Sequence, residues 1–279
     1  MQFDQLTIIG VGLIGGSVGL AAKARGAARR VVGVDRREDA VKAAERLGAV
    51  DLGTTNIAEG AKGADLVVVC TPVDRIAEAI TAAAPHCEEY TLFTDAGSVK
   101  GGLFEAVREK LQRWQVFVPA HPLAGAEKNG VEHARADLFE NRLTIVTPVH
   151  GGHLNTDAVE SFWKSLGSRT FRMSPEDHDR ALAFTSHLPH AVASAVAGVT
   201  DPALLNLTAG GFRDVTRIAA GDPKLWAAIF EANRESVLAA LGAFTDRLKE
   251  FRTLLESGDR AGVERWLTEG KQVRDALGT

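Results

Sequence analysis

Three groups of residues have types and spacings that could do chemistry. The first is Gly10, Gly12 and Gly15, spaced as GxGxxG, with Leu13 and Ile14 in the gap. Ile8 and Ile9 precede them as a buried parallel strand would, and residues 17–25 follow as an Ala- and Leu-rich helix. In such a strand–turn–helix the first glycine makes the tight turn. The second lets a pyrophosphate approach the backbone, and the third lets helix and strand pack closely. The second group is Asp35, at the end of the apolar run Val31-Val32-Gly33-Val34 and about 20 residues past the loop, where a dinucleotide fold binds the ribose 2′-OH. A carboxylate there repels a 2′-phosphate and favours NAD. Arg36 and Arg37 follow it and could hold that phosphate, so NADP stays open. The third is His121, just past the short strand 116–120, where an imidazole neutral near pH 7 could serve as a general base or as a structural loop histidine.

These residues need elements to carry them. Residues 65–70 form the clearest buried strand, ended by Thr71 and Pro72. Ligands of a doubly wound sheet sit beyond the carboxyl ends of its strands, so Thr71 and Pro72 are candidates to face the cofactor. Further strands are read at 91–94, 143–148 and 168–171, and helices at 38–47, 73–84, 99–113 and 156–166. Residues 51–63 read as loop with a brief helix. Ser98 stands at a strand–helix junction and would cap the helix that follows. The alternation of strands and helices predicts one parallel sheet with helices on both faces.

Near residue 174 the pattern changes. Ser174-Pro175-Glu176-Asp177 reads as a helix start, and no convincing strand follows it. Helices are expected at 175–199, kinked or divided by Pro189, at 222–257 and at 259–277, with 201–221 irregular. The fold class is therefore α/β: an N-terminal Rossmann-type, doubly wound parallel sheet (1–173), followed by an all-helical C-terminal domain (174–279). The second domain is expected to mediate dimerisation and to close the substrate cleft. Its apolar stripe from Val237 to Leu255 points to a two-fold homodimer.

Composition narrows the function classes. Hydrophobic residues make up 45% and charged residues 24% of the 279, as in a soluble globular protein. A net charge of −4 with no basic run argues against nucleic acid or an anionic membrane as a partner. Cys70 and Cys87 show no metal spacing, so no metal is expected, and two cysteines fit a reducing cytoplasm. No signal peptide and no apolar run long enough to span a bilayer are read, so the expected location is cytoplasmic.

Taken together, Gly10–Ser17, Asp95-Ala96-Gly97-Ser98-Val99-Lys100, His121-Pro122-Leu123-Ala124-Gly125, Ser186-His187-Leu188-Pro189-His190, Gly210-Gly211-Phe212-Arg213-Asp214-Val215-Thr216-Arg217 and Asp222-Pro223-Lys224-Leu225-Trp226 resemble the prephenate/arogenate (cyclohexadienyl) dehydrogenase family over essentially the full length. The resemblance implies oxidative decarboxylation of prephenate to 4-hydroxyphenylpyruvate, or of arogenate to tyrosine, with NAD(P)⁺ as hydride acceptor. It implies His121 as catalytic base and Ser98 as a hydrogen-bonding partner that holds it. It also implies Arg217, Arg213, His190, Trp226 and Gly125 at the substrate, with Trp226 reaching toward the neighbouring subunit's site. His187 is read either as a site residue or as a buried, satisfied histidine. Ala126 departs from the Thr or Ser of many relatives, which bears on substrate preference. Two other classes fit part of the pattern: a 3-hydroxyacid dehydrogenase or imine reductase of the same two-domain plan, and a non-catalytic dinucleotide sensor.

Overall fold

A computed structural model describes residues 2–112, 114–125, 128–148 and 153–278, without the side chains of His153 and Leu154. Ala126 lies outside the described residues. The chain divides into two compact units, residues 1–233 and 234–279.

The first unit opens with β1 (Phe3–Ile9), α1 (Leu13–Ala24), β2 (Ala28–Val34), α2 (Glu38–Arg46), β3 (Leu52–Thr54), α3 (Ile57–Ala61), β4 (Leu66–Val69), α4 (Ile76–Ala83) and β5 (Leu92–Asp95). It continues through α5 (Leu103–Arg108) to β6 (Val116–Phe117). These strands form a six-stranded sheet in the order β3-β2-β1-β4-β5-β6, parallel throughout. Alternate residues of β4 go to different cores: Leu66 and Val68 join Ile8, Val31 and Trp163, whereas Val67 and Val69 join Ile9, Phe93 and Ile80. That is the two-residue period of a strand buried on both faces.

Several expectations need correction here. Residues 52–54 are a strand, β3, where loop was read: Val32 and Val34 of β2 offer a paired edge to a segment with little apolar character of its own. The sheet is also not single. β7 (Ala120–Pro122), β8 (Leu143–Val146) and β9 (Arg169–Arg172) form a second, three-stranded sheet in which β7 runs antiparallel to β8, with α6 (His153–Ser165) between β8 and β9. His121 therefore lies inside a short strand, paired with Ile145, and not in a loop beyond one. Ser98 does not cap the next helix. That helix starts at Leu103 with Gly102 at its N-cap, φ 70°, because residues 99–102 turn before it.

The expected helix start at 174 is present. Ser174 Oγ accepts the Asp177 N–H at 3.0 Å and opens α7 (Pro175–Leu182). A π-helical turn, Ala183–His187, then leads into α8 (Leu188–Val199), with Pro189 in its first turn. The Leu188 N–H still bonds to the Ala183 carbonyl, so the chain stays helical into the proline, which falls where the π-helical turn shifts the hydrogen-bond register. Residues 201–221, read as irregular, include α9 (Gly210–Thr216) flanked by short 3₁₀ turns. The long helix read from 222 is two: α10 (Pro223–Ala232), and, in the second unit, α11 (Arg234–Glu256), with Asn233 at φ −110°, ψ 33° between them. In the second unit α12 (Arg260–Ala276) follows a turn at Gly258 and is capped by Asp259, which accepts the Gly262 N–H at 2.9 Å. Trp266 of α12 lies against Phe251, with the Arg247 guanidinium over its ring.

Both cysteines are free thiols. Burial raises the pKa of each, that of Cys87 to about 12. Among the described residues no helix is long and apolar enough to cross a membrane, and no group of three metal-ligating side chains is assembled.

Candidate functional site

The glycine loop has the geometry its spacing predicts. Gly10 adopts φ +95° and lies so close to Cys70 and Thr71 that a Cβ would clash with their backbone. A Cβ on Gly15 would collide with the Gly10 carbonyl oxygen, so only glycine lets α1 sit this near β1. Around Gly12, by contrast, a Cβ would meet nothing within 4 Å. Gly12 is also the N-cap of α1, with no side-chain cap and no acidic residue in the first turn. Leu13 and Ile14 supply the first N–H groups of α1 next to this open space, and the uncapped start of a helix suits an anion. At the end of β4, the buried Thr71 Oγ1 has no hydrogen-bond partner among the described residues, and Pro72 beside it is exposed. This open floor and orphaned hydroxyl fit a dinucleotide.

Asp35 follows β2 directly. Its carboxylate accepts the N–H of Val11 at 3.2 Å, inside the glycine loop, and that of Arg37 at 3.0 Å. The Arg37 guanidinium lies 3.9 Å from both Asp35 and Asp39, so neighbouring carboxylates already engage it. Arg36 is exposed.

His121 sits at the head of a buried polar chain. Its Nδ1 is 2.9 Å from Nε2 of His178, and Nδ1 of His178 is 2.7 Å from Oδ1 of Asp179. Asp179 also accepts the backbone N–H groups of Lys100 at 2.8 Å and Gly101 at 2.6 Å. On the other side, Lys100 Nζ forms a fully buried ion pair with Asp95 and donates to the carbonyl of Ala120 at 2.9 Å. Asp95 accepts the Ala120 N–H at 3.1 Å. Both backbone groups of the residue before His121 are therefore clamped. Burial first, and then His178, Lys100 and His187, hold the His121 pKa well below the ordinary 6.5, so its imidazole is neutral at neutral pH.

A second histidine joins the network. His187, in the π-helical turn, is 1% exposed and its Nδ1 accepts from Nδ2 of Asn233 at 3.1 Å. The same Asn233 amide nitrogen donates to the Asp179 carbonyl at 2.8 Å. Burial pushes the His187 pKa down to about 4. Its Nε2 is buried with no partner among the described residues, so this ring is buried but only half satisfied. His190 stacks on Trp226, ring centroids 3.4 Å apart, and burial lowers its pKa too. Trp226 also meets His187 edge-on and Phe230. These contacts hold the Trp226 ring among His187, His190 and Phe230.

The remaining expected residues are less tightly held. Ser98 is half-buried, and its hydroxyl makes no hydrogen bond among the described residues; the ring nitrogen contact of His121 goes to His178 instead. Gly125 is exposed with open space around it. Arg213 and Arg217 are exposed on α9 and the turn after it, one helical turn apart. Sequence reasoning passed over His178, Asp179 and Asn233. The first two follow a Ser-Pro-Glu-Asp helix start, whose capping signal accounts for Glu176 and Asp177 and draws attention away from the residues after them. The available cue was two adjacent titratable residues on the face of α7 that also carries Leu182, which is buried.

Comparison with known proteins agrees along the whole chain. The family model for "Prephenate dehydrogenase, nucleotide-binding domain" matches residues 18–172, and that for "Prephenate dehydrogenase, dimerization domain" matches 174–269. A cyclohexadienyl dehydrogenase of Zymomonas mobilis is 35% identical over 99% of this chain and 97% of its own length. A prephenate dehydrogenase of Bacillus subtilis is 34% identical over 98% of this chain and 76% of its own. The crystal structure of prephenate dehydrogenase from Aquifex aeolicus, in complex with hydroxyphenyl propionate and NAD⁺, superposes with a TM-score of 0.91 at 32% identity, covering 99% of each chain. A glycine loop open at Gly12, a neutral histidine clamped in β7, and full-length similarity of this order make the chain a member of the prephenate/arogenate dehydrogenase family.

Proposed function

We propose that this chain catalyses the NAD-dependent oxidative decarboxylation of a cyclohexadienol, prephenate or arogenate, in the formation of tyrosine. The observation that carries the reading is His121: neutral, with Nδ1 engaged by His178, which leaves Nε2 to meet a substrate. Gly10, Gly12, Leu13, Ile14 and Gly15 would hold the cofactor pyrophosphate at the N-terminus of α1, with Thr71 and Pro72 beside it. Asp35 would take the ribose hydroxyls, and its charge favours NAD over NADP. Bound there, NAD⁺ supplies the hydride acceptor.

The chain's own residues do the rest. His121 Nε2 accepts the carbinol proton as that oxygen becomes a carbonyl, and returns it to the phenolate oxygen once CO₂ has left and the ring is aromatic. Ser98 hydrogen-bonds the same oxygen. Arg217 grips a substrate carboxylate through paired N–H donors, with Arg213 as a second cation. His190, Trp226 and Gly125 line the ring and its side chain. The domain boundary of this reading is 173/174, and the helical domain joins two copies. Support comes from its exposed apolar side chains, among them Val199, Leu207, Leu238 and Leu255. Steady-state assays with prephenate and arogenate, each with NAD⁺ and NADP⁺, test the reading. Turnover of neither substrate would overturn it, and a preference for NADP⁺ would overturn the role of Asp35. Sedimentation should give twice the chain mass, and a monomer at micromolar concentration would overturn the homodimer.

A further inference from the structure

We infer that His178 and Asp179 are positioning residues that lock His121 in one tautomer, so that its Nε2 always faces the reacting oxygen as a bare acceptor. The inference rests on the proposal that His121 is the base. The order of hydrogens follows from the acceptor at the far end. Asp179 takes two backbone N–H groups, from Lys100 and Gly101, as an ionised carboxylate does. It therefore accepts from His178, and the hydrogen of His178 lies on Nδ1. In the neutral ring Nε2 is then an acceptor. His121 Nδ1, 2.9 Å away, must donate to it, which leaves Nε2 of His121 without hydrogen.

The lock is rigid at every step. His178 is 0% exposed and Asp179 5% exposed, so no water competes for either. Asn233 pins the Asp179 backbone, and Lys100 with Asp95 pins Ala120. When His121 gains the substrate proton at Nε2, the Nδ1 hydrogen stays where it is, and the new positive charge is supported through His178 by the Asp179 carboxylate. The other titratable groups around His121 are Lys100, Asp95 and His187. Lys100 is neutralised by its partner Asp95, and burial keeps His187 uncharged, so Asp179 is the charge that the imidazolium meets through a hydrogen-bonded path.

Glutamine can replace His178 in this role, because its carbonyl accepts from His121 while its amide donates to Asp179. Phenylalanine can do neither. His178→Phe should lower kcat about 10- to 1000-fold with KM changed less than about threefold. The acid limb of its pH profile should move to lower pH, since an imidazolium without its acceptor is more acidic. His178→Gln should recover kcat to within about threefold of the parent enzyme. Nitrogen-15 imidazole spectra of the enzyme without substrate give an independent reading: a pyrrole-type Nδ1 and a pyridine-type Nε2 on His121, and the mixture of both tautomers on His121 in His178→Phe. Parent-like kcat and pH profile in His178→Phe would overturn the inference. So would a folded His178→Gln as slow as His178→Phe, or a hydrogen on Nε2 of the parent His121. Failure of His121 as the base would instead appear as an active His121→Asn with the tautomer pattern of the parent intact.

Discussion

The two parts of this chain bury different things. Residues 3–172 bury two apolar clusters around a six-stranded sheet, with Phe93, Phe139, Trp163 and a run of aliphatic side chains closed to solvent. In the helical residues 175–233 the buried apolar side chains are few: Leu182, Ala183, Ala193 and Ile229. Their company is polar: His178, Asp179, His187 and Asn233. The first part is held by loss of apolar surface from water. In the second, burial serves a hydrogen-bonded network, and large apolar side chains such as Leu204 and Leu207 are exposed on the single chain. A region stabilised by apolar burial tolerates function being added at its edges. A region whose burial is polar has its stability and its chemistry tied to the same atoms.

The sharpest test separates rate from fold at the junction of the two. His121→Asn should lower kcat about 10²- to 10⁴-fold while the melting temperature and NAD⁺ binding stay near those of the parent. A large loss of stability would mean that the ring serves the fold, and the contrast would fail. Lys100 is the exception inside the sheet half, a buried charge beside the site. Lys100→Met leaves Asp95 buried without its cation and should cost about 3–5 kcal/mol in chemical denaturation. A cost below about 1 kcal/mol would show that the pair is not what clamps Ala120.

Next comes pH. The His187 pKa falls from an ordinary 6.5 to about 4 in the folded chain. The unfolded chain therefore binds the proton more readily, and the contribution of this ring is complete above about pH 6.5 and lost as pH falls toward 4. The loss should be roughly 2–4 kcal/mol. His187→Gln should flatten that part of the stability profile, and an unchanged slope would refute the assignment. The smallest effect is a matched pair in the sheet half. Gly15→Ala forces a methyl into the Gly10 carbonyl and should cost about 1–3 kcal/mol of stability. Gly12→Ala meets open space, so the fold should keep its stability while NAD⁺ binding weakens. Equal stability losses in the two variants would remove the distinction between a packing glycine and a binding glycine.

How far the sequence could be read follows the same division. The parallel sheet, the glycine loop, Asp35 and the change at Ser174 were legible because each is a local pattern: an apolar run, a spacing, a cap. β3 was not, because its pairing comes from the edge of β2 and not from its own residues. The second sheet was not, since nothing within 116–122 marks a strand that leaves one sheet and pairs antiparallel with β8. The break at Asn233 was hidden by helix-forming residues on both sides. His121 could be found from its motif, but His178 and Asp179 could not, because their role exists only across the 57 residues that separate His178 from His121. A hydrogen-bonded chain between distant segments leaves no period in the sequence.

The two thiols give the sheet half a built-in clock. Burial pushes the Cys87 thiol up to about 12 and raises Cys70 as well, so neither is a thiolate at neutral pH while the chain is closed. Alkylating reagents act on the thiolate, so labelling of the buried Cys87 is gated by opening events, whereas Cys70 is only partly buried. Cys70 lies beside the glycine loop at the end of β4, and Cys87 lies in the cluster on the Val67 face of the sheet. Timed labelling, read thiol by thiol, would follow the breathing of the cofactor edge and of that core separately, with no probe added to the protein.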